Sequence, residues 1–394
     1  MTYDFDQIID RHGTNSVKWD GLKDLFGRAD ALPMWVADMD FVAPPPVQEA
    51  LAKRAAHPVY GYTVKPPEYH DIVRGWLDRR HGWRPDPESL VHVNGVVPGL
   101  AIALAAYTKP DDGVLVFPPV YHPFFSVTEG QGRRIVESPL RFDGERYTID
   151  FEGLTRLLAA TPVKVAILCN PHNPVGRVWT HDELTRVARI LLDHRVLVLS
   201  DEIHSDLLYP EYRHIPFASL SMEAAAHSVT FIAPSKTFGL AGLQTSVAII
   251  PDPGLRDRYV AAQHAYGSGL INAFGIVAML AAYGQGEDWL EQLRHYLAGT
   301  RDFVLDYFPA EIPQIRPIRP EGTYMVWLDC RALELDDAAL KRFMIEEAGL
   351  ALTDGVEFRT GGHGFQRMNL AMPRALVKQG LEQLAAAVRT RTHN

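Results

Sequence analysis

Cysteine is scarce: Cys169 and Cys330 are the only two in 394 residues, and both fall inside apolar runs. Two cannot make a disulfide framework, so they read as buried free thiols in a reducing compartment. Nowhere do eighteen apolar residues run together, which excludes a membrane-spanning helix. Basic residues are outnumbered, 39 Lys and Arg against 48 Asp and Glu, for a net charge of −9. That balance argues against nucleic acid or an acidic membrane as the main partner. The opening stretch MTYDFDQIIDRHG is acidic and has no apolar core, so it does not read as a secretion signal, and the expected location is cytoplasmic. The 16 histidines lack metal-ligand spacing such as HExxH, and no metal is expected. Gly267-Ser268-Gly269 lacks the strand-turn-helix setting of a dinucleotide fingerprint. Internal repeats and low-complexity segments are also missing.

What is present is the composition of a globular chain, 47% apolar and 22% charged, with a length that predicts two or three domains. Residues 1–48 read as an aromatic-rich N-terminal arm contributing to a small domain. Residues 49–285 read as a large domain and 286–394 as a small α+β domain. From about residue 90 to 250 a strand, a turn and a helix recur, and the strands are nearly continuous apolar runs. Such runs predict an α/β fold with a mostly parallel sheet covered on both faces. Helices are expected over Leu100–Thr108 and Asp182–His194, the latter opened by a Thr180/Glu183 capping box. Pro309 to Pro320 reads as a crossover.

Polar residues gather just beyond the carboxyl ends of these strands: Gly95, Tyr121, Asn173, Asp201 and Lys236. In open α/β sheets that edge is where ligands bind. A lone lysine ordinarily points to water. At the end of a buried strand, however, Lys236 would be desolvated toward a reactive neutral amine. Gly95 and the helix start after it offer unpaired N–H groups suited to a phosphate. Asn170-Pro171-His172-Asn173-Pro174 makes a rigid loop that aims amides. A carboxylate at Asp201 is costly unless paired, and a structural salt bridge is the plain alternative. An amine, an anion-binding turn, an aromatic, an amide and an acid together fit pyridoxal 5′-phosphate, which has an aldehyde, a phosphate, a ring face, a phenolate oxygen and a ring nitrogen.

NPHNPVG, SDEIH and SKTFGLAGL, in that order, resemble the fold-type I, class I/II aminotransferase-like enzymes that use this cofactor. DRHGTNSVKWD, LPMWVADMDF, HPVYGYT, CNPHNPVGRVWT, SDEIHSDL, AGLQTS and RMNLAMPR span nearly the whole chain. They make it more closely similar to the MalY/PatB-type C–S lyases, or cystathionine β-lyases. The resemblance implies that Lys236 holds the cofactor covalently and acts as general base, that Asp201 pairs with the ring nitrogen, and that Tyr121 stacks on the ring. It further implies that Asn173 donates to the phenolate oxygen, with His204 also at the cofactor, and that Gly95, Val96, Val97 and Ser235 bind its phosphate. Tyr62 would reach the phosphate in a partner subunit, which implies a homodimer with shared sites. Arg367, Tyr60 and Ala37 would meet the substrate, with Arg367 clamping its α-carboxylate. Three positions depart from the aminotransferase pattern. Gln244 replaces an arginine, His204 replaces a tyrosine, and Ala233 replaces a small hydroxyl residue. The implied reaction is α,β-elimination from L-cystathionine or another S-substituted cysteine, giving a thiol, pyruvate and ammonia. A class I/II aminotransferase and a regulatory protein on the same fold are the alternatives. The shape near Trp35–Asp38 and Gly267–Leu270 would set side-chain specificity.

Overall fold

Seven strands form the main sheet of the computed structural model, which describes residues 2–392. In chain order they are β1 (Leu90–Val93), β2 (Gly113–Val116), β3 (Arg134–Glu137), β4 (Val165–Cys169), β5 (Leu197–Asp201), β6 (Ser228–Ile232) and β7 (Ser246–Ile249). They lie side by side as β1-β7-β6-β5-β4-β2-β3. Every pairing from β6 to β3 is parallel, and β7 runs antiparallel to both its neighbours. The expected α/β architecture is present.

The continuous apolar strands follow from burial of both faces, since successive side chains point to opposite sides of a pleated strand. In β4, Ala166 and Leu168 enter one core with Leu184 and Val187. Val165 and Ile167 enter the other with Leu100 and Leu104. The helix His181–Asp193 starts at the expected capping box, Thr180 with Glu183.

A second sheet holds β8 (Arg316–Ile318), β9 (Met325–Asp329), β10 (Thr353–Asp354) and β11 (Phe365–Asn369), in the order β8-β9-β11-β10, all antiparallel. The helix Glu287–Glu311 ties the two parts together. Its Leu290, Leu293 and Leu297 join the core beside the main sheet, while Val304 and Phe308 join the core of the second sheet. This helix continues through Pro309, where the sequence pattern predicted the start of a crossover. Burial of Phe308 and the Ile312 amide bonding the Phe308 carbonyl at 2.8 Å hold its last turn against the proline.

The N-terminal arm crosses both parts. Leu32–Pro33 pairs in parallel with Leu350–Ala351, and Phe5, Ala37 and Met39 join the core that holds Leu290 and Leu293. A buried charge cluster fixes it: Asp40 receives Lys18 Nζ at 2.6 Å, Arg11 Nη1 at 2.7 Å and Trp19 Nε1 at 3.0 Å. Arg11 Nη2 also binds Asp38 at 2.7 Å. Removing one member of a buried pair leaves the rest uncompensated. Asp40→Ala is therefore expected to lower unfolding stability by about 3–5 kcal/mol, measured as a shift of the denaturant midpoint. Glu152→Ala, which breaks only a solvent-exposed contact with Arg156, is the control expected to stay near wild type.

Candidate active site

β5 delivers Asp201 at its last position, and β6 leads through Ala233 into a four-residue helical turn, Pro234–Thr237. Lys236 thus stands on a turn rather than at the strand end that the sequence predicted. The proline sits in the first helical position, where its missing N–H costs nothing. A cavity of about 240 Å³ opens there. Gly95, Val96, Val97, Tyr121, Asn173, Asp201, His204, Ser235, Lys236 and Ala37 all line it.

The amine of Lys236 donates to the Ala37 carbonyl at 2.8 Å. Burial, against the opposing pull of Asp38 and Asp201 and with the help of Arg367, brings its pKa down to about 8. Asp201 is 3% exposed and, among the described residues, accepts one bond, from the Ile203 amide at 3.1 Å. Burial pushes its carboxyl up to about 7. That is the state of an acid that has left water without meeting a cation at hydrogen-bond distance.

The phosphate-like corner begins at Gly95, whose φ of 121° is open to glycine alone among common residues. The helix after it runs Val96–Tyr107, four residues earlier than the Leu100 start expected. Pro98 falls in the first turn of this helix, where a proline loses no intrahelical bond. The Gly95 amide is taken by Ser246 Oγ at 3.1 Å. Amides at a helix start have no intrahelical acceptor, so those of Val96 and Val97 are free to meet an anion.

Arg367, on β11, reaches the cavity wall through Asn173. Its Nη1 donates to Asn173 Oδ1 at 2.9 Å, and its Nη2 to the Trp35 carbonyl at 2.9 Å and Thr353 Oγ1 at 3.1 Å. The guanidinium lies over the Phe358 ring, 5.0 Å from its centre, and burial draws its pKa down to about 10. With its oxygen engaged, Asn173 keeps its amide N–H groups for a ligand. His204 is 3% exposed, and its Nδ1 has no partner among the described residues. Burial, with Lys236 and Arg367 nearby, holds its ring neutral down to about pH 3.

Tyr60 and Tyr62 are not brought to the cavity of this chain. Tyr62 is 92% exposed, and Tyr60 bonds the Ala55 carbonyl at 2.8 Å and packs near Phe274. The fold also recruits residues that sequence reasoning did not assign to the site. Asn94, Cys169, Ile203, Ala241, Gln244 and Thr245 line the cavity, and Tyr324 Oη donates to the same Ala37 carbonyl at 3.1 Å. Gln244 was marked only as a departure from a pattern; its φ of 45° turns the chain back toward β7. Tyr324 carried no local signal.

Beside an amine held only by a backbone carbonyl, several polar groups of one cavity remain unmet among the described residues: a buried acid without a cation at hydrogen-bond distance, free helix-start amides and an orphaned imidazole nitrogen. This set complements pyridoxal 5′-phosphate group by group.

Comparison with known proteins agrees. The profile of the family "Aminotransferase class I and II" matches residues 40–384. Cystathionine beta-lyase PatB of Bacillus subtilis is 44% identical over 384 residues, covering 98% of this chain and 99% of that protein. Protein MalY of Escherichia coli is 33% identical, covering 98% and 99%. Among solved structures, cystalysin from Treponema denticola, which contains a pyridoxal 5′-phosphate cofactor, has a TM-score of 0.96 and 38% identity, over 99% of this chain and 100% of that one. The PLP-bound C-S lyase from Staphylococcus hominis has a TM-score of 0.93 and 33% identity, over 98% of each chain.

Proposed function

The chain belongs to the class I and II aminotransferase family, and from that premise we propose a reaction and a role for each residue of the cavity. The protein is a pyridoxal 5′-phosphate-dependent C–S β-lyase of the cystathionine β-lyase type. It cleaves L-cystathionine or S-substituted cysteines. With one water the substrate gives a thiol, pyruvate and an ammonium ion. The observation that carries the assignment of roles is the pairing of a desolvated amine and a desolvated acid, Lys236 and Asp201, in one cavity.

Lys236 would hold the cofactor covalently, and Asp201 would face its ring nitrogen. Tyr121 would lie on the ring, Asn173 and His204 would meet its polar edge, and Gly95, Val96, Val97 and Ser235 would receive its phosphate. When bound, the cofactor supplies an electron sink that stabilises negative charge at the substrate Cα. Lys236, easily neutral near pH 8, takes the Cα proton as general base. The Cβ–S bond then breaks, and sulfur leaves with the bonding electron pair. Arg367, pinned by Asn173, Trp35 and Thr353, presents a rigid fork for the α-carboxylate. Tyr60 and Ala37 would border the substrate.

Pyruvate release from S-substituted cysteines without any 2-oxo acid tests the reaction; strict dependence on a 2-oxo acid acceptor would overturn it in favour of an aminotransferase. Arg367→Lys is expected to lower kcat/KM about 10- to 100-fold, mostly through KM, because a point charge replaces a bidentate hydrogen-bonded one. Steady-state kinetics against substrate concentration check this. Only the neutral amine of Lys236 can capture an aldehyde. Cofactor uptake by cofactor-free protein should rise with pH and level off above about 8, followed by absorbance; a midpoint near the ordinary lysine value of 10.5 would contradict the site.

The active form is a homodimer with shared sites. Val59, Tyr60, Tyr62 and Val64 form one exposed apolar stretch, with Leu270 exposed beside Ile271, which bridges to Thr63. Such a patch calls for cover, and it would bring Tyr62 to the phosphate site of the partner subunit. The two buried free thiols, Cys169 and Cys330, support a cytoplasmic location. Residues 1–48, 49–285 and 286–394 serve as arm, cofactor-binding domain and small domain.

A further inference from the structure

One buried carboxylate takes no part in the chemistry above. Asp206, 4% exposed, lies five residues beyond Asp201, where the chain has left the sheet. Its Oδ2 accepts from Thr237 Oγ1 at 3.0 Å and from Trp76 Nε1 at 3.2 Å. Its Oδ1 faces His81 Nε2 at 3.2 Å and Arg80 Nε at 3.9 Å. Thr237 is the residue after Lys236, and Trp76, Arg80 and His81 lie on the helix Tyr69–His81.

The position of this contact matters. The β5–β6 ladder ends at the pairing of Asp201 with Phe231, followed by one last backbone bond, from the Glu202 amide to the Phe231 carbonyl at 2.9 Å. Beyond it, among the described residues, no backbone hydrogen bond joins 203–207 to 233–238. The distance between the acid's strand and the lysine's turn is left to side chains. The other buried carboxylate nearby, Glu202, bonds Ser200, His214 and the Phe217 amide, and none of these belongs to the lysine's turn. Asp206 does reach that turn.

We propose that Asp206 is a positioning residue for Lys236: through the Thr237 hydroxyl it holds the Pro234–Thr237 turn in place against the end of β5 and the helix Tyr69–His81. The inference rests on the reading that Lys236 and Asp201 serve one cofactor, because only then does their separation matter to turnover. Displacing a reacting group by about 1 Å can cost about 10²-fold in rate.

Asp206→Ala risks unfolding the protein, since it removes the carboxylate facing His81 and leaves Trp76 Nε1 and Thr237 Oγ1 without their acceptor. Thr237→Val is the better probe, deleting the hydroxyl at nearly constant volume. Turnover should fall about 10- to 100-fold with KM within about twofold, the split expected when an interaction matters after binding. A second readout needs no cofactor. In cofactor-free protein, the pH midpoint for modification of Lys236 by a small amine-directed reagent should rise from about 8 toward 10.5, as the loosened turn admits water. Thr237→Ser should restore both. An unmoved midpoint, wild-type turnover in Thr237→Val, or failure of the serine to rescue overturns the proposal. Failure of the lyase reading would appear separately, as no pyruvate from the wild type, and would leave the modification midpoint intact.

Discussion

Lys236→Ala should abolish lyase turnover, by at least about 10⁴-fold, because one substitution removes both the covalent anchor and the general base. Loss of the base alone is worth about 10²–10⁴. The anchor adds to this, because a cofactor held only by side-chain and phosphate contacts is not presented in one orientation. Folding should survive. The substitution deletes a desolvated amine that burial already disfavours, and it breaks one hydrogen bond, to the Ala37 carbonyl. After dialysis and borohydride reduction the wild type should retain bound cofactor covalently, while Lys236→Ala retains none. Lys236→Arg should be equally inactive, since a guanidinium stays charged and cannot take a proton. Activity above about 1% of wild type in either variant would remove Lys236 from the chemistry.

Asp201→Asn separates function from stability, and the two should move in opposite directions. At about 3 Å and an effective dielectric of about 20, a carboxylate attracts a ring cation by roughly 5 kcal/mol before desolvation. Half of that is about two pH units on the ring nitrogen. Without it the electron sink weakens, and turnover should fall by about 10²-fold or more. In the cofactor-free protein the same carboxyl is a burden. Its folded pKa is raised, to about 7 from 3.8, so the folded state binds the proton more tightly than the unfolded chain does. Stability therefore falls as pH rises through this window, by up to about 4 kcal/mol over some three units. Asp201→Asn should flatten that dependence and make the cofactor-free protein more stable than wild type above pH 7. Denaturant titrations from pH 4 to 8 check the sign. A variant less stable than wild type at pH 8 would show that Asp201 is paired in the cofactor-free protein.

Local pattern reached far along this chain because a parallel sheet imposes itself on every strand. The run Val165–Cys169 is apolar throughout since both of its faces meet helices, and the residues that end such runs stand at the ligand-binding edge. Asp201, Asn173 and Gly95 were legible for that reason. The errors also have local causes. Pro98 lies in the first turn of its helix, where a missing N–H breaks no intrahelical bond, so the helix starts before the expected Leu100. Pro309 does lose a bond, and burial of Phe308 with the Ile312 amide bond carries the helix past the expected crossover start. Lys236 was expected at a strand end, and only the fold shows that it stands on a turn begun by Pro234, next to a threonine bonded to Asp206.

Sequence alone determined which residue types could do the chemistry and the order in which they lie along the sheet edge, because strand alternation and turn composition are read within a few residues. The tertiary structure decided what state those residues are in. The Ala37 carbonyl comes to Lys236 across 199 residues of chain, and Arg367 comes to Asn173 across 194. No local pattern encodes such meetings. Withdrawal from water is likewise a property of the assembled fold, and it is what brings an ordinary lysine to about 8 and an ordinary aspartate to about 7.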